Sequence, residues 1–154
     1  TMTVSDRDLG FAKVMTDLKA LANKEIKIGI QGDAEYEEKD GKKRKKSVSV
    51  LDVAVWNEFG TSNIPSRPFI RQTFELYSEE VYQQMAKVVE AVGLGVNVHQ
   101  ALSLVGQWYE GKMKHTLTTF PWKLNAASTI KRKKSSNPLI DTEQLRSSIR
   151  YEVK

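Results

Sequence analysis

The sequence predicts an α+β fold: a small, mostly antiparallel sheet packed against three or four helices. Two short segments that alternate apolar and polar residues predict the sheet, Ile26-Lys27-Ile28-Gly29-Ile30 and Ile149-Arg150-Tyr151-Glu152-Val153. A helical stripe of apolar residues running over 68–117, broken once at Gly93-Leu94-Gly95, predicts the main helices. With 154 residues the chain is long enough to bury a core and is expected to form a single domain, 1–154.

The elements follow in order. An N-terminal amphipathic helix is expected over 6–22, where Phe11, Val14, Met15, Leu18, Leu21 and Ala22 recur at helical spacing. Ser5 or Asp6 can cap its first turn. Glu25 to Gln31 then reads as a half-buried strand with Ile26, Ile28 and Ile30 on one face.

Residues 33–46 form a charged arm. Asp33, Glu35, Glu37, Glu38 and Asp40 precede Gly41, and Lys42, Lys43, Arg44, Lys45 and Lys46 follow it. One reading is a solvated loop. The other is a hairpin turning at Asp40-Gly41 and setting Glu38, Glu37 and Glu35 opposite Lys43, Arg44 and Lys46. Each exposed pair would then contribute about 0.2–1 kcal/mol, and the arm would project as a contact for a neighbouring subunit.

Ser47 to Phe59 fits a strand by its valines and a helix by the face Val48, Leu51, Val55 and Phe59. Gly60 as a stop favours a helix from about residue 50, with 47–50 extending the strand pairing of 26–30. A long helix is expected from Pro68 to about Val92, its stripe formed by Ile70, Phe74, Tyr77, Val81, Met85, Val88 or Val89, and Val92. A second runs from about Val98 to Leu117 through Ala101, Leu102, Val105, Trp108, Tyr109 and Met113, and the two should pack as an antiparallel pair over 68–117. Met85, Trp108 and Met113 are read as core rather than as a cofactor pocket.

A polar connection over 118–142 carries Pro121, Trp122 and the basic cluster Lys131-Arg132-Lys133-Lys134. It is long for a structureless loop, which suggests a functional or partner-ordered segment. Asp141 with Gln144 fits a short capped turn, and a C-terminal strand over 148–154 is expected to join the first strand.

Composition excludes several classes. Hydrophobic residues at 40% and charged residues at 28% fit a globular protein, and no apolar run approaches the length of a membrane span. No signal peptide is visible, so a cytoplasmic origin is the simplest expectation. The absence of cysteine excludes disulfides and thiol chemistry. The net charge of +5 is compatible with a polyanionic partner, but much of it resides in the two basic runs.

The densest backbone constraints lie in residues 56–71, Trp-Asn-Glu-Phe-Gly-Thr-Ser-Asn-Ile-Pro-Ser-Arg-Pro-Phe-Ile-Arg. Gly60 suits the left-handed conformation of a helix C-cap. Pro68 holds Arg67 extended and fits the first turn of the next helix. The reading is helix, shaped loop, helix, with Glu58 as a structural partner of Arg67 or Arg71.

Glu58-Phe59-Gly60-Thr61 followed by Ile64-Pro65-Ser66-Arg67-Pro68-Phe69-Ile70-Arg71 resembles the signature of a tailed-phage virion-morphogenesis family, the neck and tail-completion (head–tail joining) proteins. A second block is similar in the same order: Ser128-Thr129-Ile130-Lys131-Arg132-Lys133, Pro138-Leu139-Ile140-Asp141-Thr142, Leu145-Arg146 and Ser148-Ile149. The similarity runs from about Ile26 to the end of the chain. Lys134 and Glu143 depart from the pattern, standing where the family usually has glycine.

No convergent catalytic set emerges from the sequence. His99 and His115 fall on one helix, about 24 Å apart along its axis, too far to share a metal or a substrate atom. Gly93-Leu94-Gly95 lacks the spacing of a phosphate loop, and there is no nucleophile elbow. Asp52 and Glu58 would project to different sides of a helix. No enzyme activity, metal or cofactor is therefore expected.

The resemblance implies a structural protein of the head–tail junction or tail end. It would assemble as a ring, with a hexamer favoured, against neighbouring head-closure and tail-tube proteins. It would act in the bacterial host cytoplasm during assembly, and in the virion if it comes from an intact phage, without a membrane. Loops 33–46, 60–67 and 119–142 are the expected contact regions. The alternative is a sequence-independent nucleic-acid-binding module using Lys42–Lys46 and Lys131–Lys134, whose binding would weaken steeply with salt.

Overall fold

The computed structural model describes residues 3, 7–32, 49–62, 65–122 and 143–154. Among them the elements in order are α1 (Phe11–Leu21), β1 (Ile26–Ile30), α2 (Val50–Phe59), α3 (Phe69–Gly93), α4 (Val98–Thr119), α5 (Glu143–Ser147) and β2 (Ile149–Val153). The fold is α+β, with the two strands antiparallel. The charged arm 33–46, Val48 and the basic cluster 131–134 lie outside the described residues, as do Asp141 and Thr142.

The strands pair as their alternation requires. Ile26 faces Val153, Ile28 faces Tyr151 and Ile30 faces Ile149, so the apolar positions of both strands share one face. That face packs on α4. Gly106 of α4 is buried under the Tyr151 ring, and a Cβ there would stand 2.5 Å from Tyr151 Cδ2. Glu110, one turn further on, accepts the Tyr151 backbone N–H through Oε2 at 3.0 Å and the Lys114 ammonium through Oε1 at 2.7 Å. The carboxylate thereby satisfies a donor on the outer edge of β2.

Helices α3 and α4 form the expected antiparallel pair. Phe69 joins Met113 and Leu117 at one end, the Tyr77 ring meets Trp108 edge-on at 6.4 Å in the middle, and Val92 joins Ala101 and Leu102 at the other. Their junction is a Schellman turn: Gly95 N–H donates to Val92 O and Val96 N–H to Ala91 O, both at 3.0 Å, with Gly95 at φ 95°. Asn97 then caps α4 by accepting the Gln100 N–H. On α3 the stripe holds at Val88 and Val92, but Phe74 and Val89 are half exposed. The buried positions at the start of α3 are Phe69 and Thr73.

Three expectations require correction. α1 starts at Phe11 rather than residue 6, because the Asp8 carboxylate accepts the N–H groups of Gly10 and Phe11 at 2.9 and 2.7 Å and sets the first turn there. Phe11, Met15 and Ala22 are exposed, and Leu18 and Leu21 make the contact with the core. Of residues 47–50, the first two lie outside the described residues, Ser49 is extended and in a β-bridge as well as being the N-cap of α2, and Val50 is already helical, so any strand there ends before residue 50. The polar connection begins later than 118: α4 continues to Thr119, and Trp122 is buried with Nε1–H donating to Leu117 O at 3.2 Å.

Replacing Gly106 by alanine improves helix propensity by about 1 kcal/mol, yet it drives a methyl group into the Tyr151 ring. The expected net effect in urea denaturation is a loss of about 1–3 kcal/mol. The loss should shrink in a Tyr151→Ala background, and an unchanged or raised midpoint would refute the close approach. Burial raises the Tyr109 hydroxyl above its ordinary pKa of 10.0. A raised folded-state pKa contributes stability below the unfolded value and loses it as pH rises through the folded one. Thermal melts of Tyr109→Phe should therefore fall less steeply above pH 10 than those of the parent.

Candidate functional site

The stretch 56–71 builds a corner between α2 and α3. α2 opens with a reciprocal capping box in which Asp52 N–H donates to Ser49 Oγ at 3.0 Å and Ser49 N–H to Asp52 Oδ2 at 3.3 Å. Seven of its ten residues, Val-Leu-Asp-Val-Ala-Val-Trp-Asn-Glu-Phe, are apolar, and they lie on every side. Periodicity could not select its inner face. The face expected from Leu51, Val55 and Phe59 points outward, with Phe59 70% exposed, and Val50, Ala54, Asn57 and Glu58 are buried instead.

The carboxylate of Glu58 explains that rotation. Its Oε2 accepts the N–H of Ile70 and its Oε1 the N–H of Arg71, each at 3.0 Å. These are the second and third residues of α3, whose preceding residue, Pro68, offers no side-chain acceptor. Glu58 therefore caps α3 from across the corner, placing negative charge on the positive end of the helix dipole. The expected ion pair of Glu58 with Arg67 or Arg71 is not formed. The brace runs to the backbone, which a reading of side-chain charges cannot see.

The loop reciprocates. Arg67 N–H donates to Asn57 O at 2.6 Å, and Ser66 Oγ–H to Glu58 O at 2.8 Å, so the last carbonyls of α2 find donors in the loop that leads to α3. Asn57 Nδ2 donates to Val53 O at 2.8 Å. Gly60 has φ 75° and ψ 173°, a positive φ as expected but with extended ψ, a region open essentially to glycine alone. Pro68, at φ −78° and ψ 74°, is the centre of an inverse γ-turn in which Phe69 N–H donates to Arg67 O at 2.8 Å. It sits just before α3 rather than inside its first turn. Arg67 is buried, and desolvation lowers the pKa of its guanidinium.

Of the other motif residues, Phe69 is fully buried, while Thr61, Pro65 and Arg71 are exposed. The described part of the second block converges on the same core: Leu145 and Ile149 are fully buried and cluster with Val50, Ala54 and Phe69. Glu143, one of the two departures from the family pattern, starts α5. Sequence reading missed Asn57 and Glu110. Only the i,i+4 pairing of Glu110 with Lys114 was there to be seen.

His99 and His115 are exposed on α4. Among the described residues no three His, Cys, Asp or Glu side chains are grouped to hold a metal, and no helix is long and apolar enough to cross a membrane. The chain matches no family model, no curated protein and no solved structure.

Glu58→Ala leaves two amide donors of α3 without an acceptor at a buried corner and is expected to cost about 2–4 kcal/mol by chemical denaturation. Glu58→Gln combined with Arg71→Gln should be additive within about 0.5 kcal/mol, because their side chains are not paired. A coupling above 1 kcal/mol in that double-mutant cycle would restore the ion-pair reading.

Proposed function

We propose that this chain is a non-enzymatic structural protein of a tailed phage or prophage, acting at the head–tail junction or tail end as copies arranged in a ring. The observation that supports this reading best is the use to which the family-like residues are put. Glu58, Gly60, Ser66, Arg67, Pro68 and Phe69 each contribute a cap, a turn or a buried contact to one rigid corner. That corner turns the apolar residues Leu51, Val55, Trp56 and Phe59 outward on α2.

A helix apolar on all sides belongs inside a larger body. In a ring each subunit supplies that body to its neighbour, through a heterologous contact that closes on itself. The nucleic-acid alternative rests on Lys42–Lys46 and Lys131–Lys134, which lie outside the described residues, so it draws its support from sequence alone.

The test is native mass spectrometry across a concentration series, with and without head-closure and tail-tube proteins. Discrete closed oligomers are expected. Val55→Glu with Phe59→Glu should abolish them while leaving the far-ultraviolet circular dichroism unchanged, since both side chains are outward. A strictly monomeric protein at high concentration, even with its neighbours supplied, would remove the ring reading.

A further inference from the structure

α2 turns Leu51, Val55, Trp56 and Phe59 outward, and a second outward row with apolar residues lies on α1. The inner row of α1 is Val14, Leu18 and Leu21, and of these Leu18 and Leu21 cluster with Val92, Ala101 and Leu102. Beside it run Phe11, Met15 and Lys19, each four residues from the next and each exposed, Phe11 at 74%. The apolar stripe of α1 is therefore wider than the surface on which the helix lies.

The two faces sit at opposite ends of the layer of α3 and α4. α1 clusters with Ala101 and Leu102 of α4, whereas the buried residues Val50 and Ala54 of α2 cluster with Met113 and Leu117. Those two parts of α4 are about 20 Å apart along its axis, so the two faces of one copy cannot meet.

We propose that the row Phe11, Met15 and Lys19 receives the outward face of α2 of a second copy, with the two helices antiparallel. The rows match in length: Leu51, Val55 and Phe59 are also spaced by four, and eight residues span about 12 Å on either helix. They match in charge, since α2 carries Asp52 and Glu58 and no basic residue, whereas the outward row of α1 ends on Lys19. Setting Phe11 on Phe59 and Met15 on Val55 brings Lys19 to the start of α2, where the exposed Asp52 stands. The reverse direction lays Lys19 on the Phe59 ring, where the last carbonyls of α2 already have Ser66 Oγ–H and Arg67 N–H as donors. A contact between unlike faces at opposite ends repeats head to tail, which is the type from which rings close. The inference rests on the ring reading and names the surface that receives α2.

Complementation between two blocked variants, read by native mass spectrometry, tests it. Val55→Glu with Phe59→Glu blocks the α2 face, and Phe11→Glu with Met15→Glu blocks the α1 face. All four side chains are exposed, so the far-ultraviolet circular dichroism of both variants should match the parent. Each variant alone should be monomeric. Mixed, they should form a one-to-one complex and nothing larger, because each brings one intact face. Met15→Cys with Val55→Cys, in a chain that has no other cysteine, should give disulfide-linked dimers and larger species under mild oxidation. Oligomers of the α1-blocked variant like those of the parent overturn the docking on α1 and leave the ring reading standing. So do blocked variants that fail to combine, or an assembled cysteine pair that does not cross-link, when the parent forms closed oligomers. A parent that is monomeric at every concentration removes both readings.

Discussion

The carboxylate of Glu58 on the first amides of α3 is the interaction on which the rest of the arrangement depends. A helix beginning after proline lacks a side-chain acceptor of its own, and its leading N–H groups would be left unpaired at a buried corner. Glu58 supplies both acceptor atoms from the last turn of the preceding helix, with a full negative charge at the positive end of the α3 dipole. Desolvating a carboxylate is costly, and two charge-assisted hydrogen bonds offset that cost here. The bond fixes the rotation of α2 and the starting point of α3. With that start set, Phe69 and Thr73 fall into the core, and the α3 stripe meets α4 from Phe69 to Val92.

Much of this was legible. Period-two alternation placed both strands and gave their shared apolar face, because a half-buried strand must alternate. Length and spacing placed α3 and α4, and the break at Gly93-Leu94-Gly95 placed the turn between them, where Gly95 takes a positive φ. The failures have physical causes. α2 is apolar all round, so its inner face was decided by Glu58 and not by hydrophobicity. Phe74 fits the α3 stripe by spacing, but no described element covers its position. Glu58 was recognised as a brace, and its partner was mistaken because sequence displays charged side chains and conceals which backbone amides lack acceptors. Trp122 followed a proline in a polar stretch, which masked a core residue.

Glu110 repeats the logic of Glu58 elsewhere in the fold. Each is a partly or fully buried carboxylate that accepts backbone N–H groups from an element distant in sequence, one at a helix start and one at a sheet edge. In each case the carboxylate satisfies donors that secondary structure alone leaves over. Acids held in this way position backbone, and both lie at junctions: α2 with α3, and α4 with β2. Rigidity is thus concentrated where elements meet.

The outer surface that this corner sets is the face of α2 formed by Leu51, Val55, Trp56 and Phe59. It is apolar but has its backbone satisfied within the helix, so it can only be covered by packing. Packing tolerates small shifts, so the direction of that face is fixed less by what meets it than by the two hydrogen bonds of Glu58 that hold α2 against the start of α3.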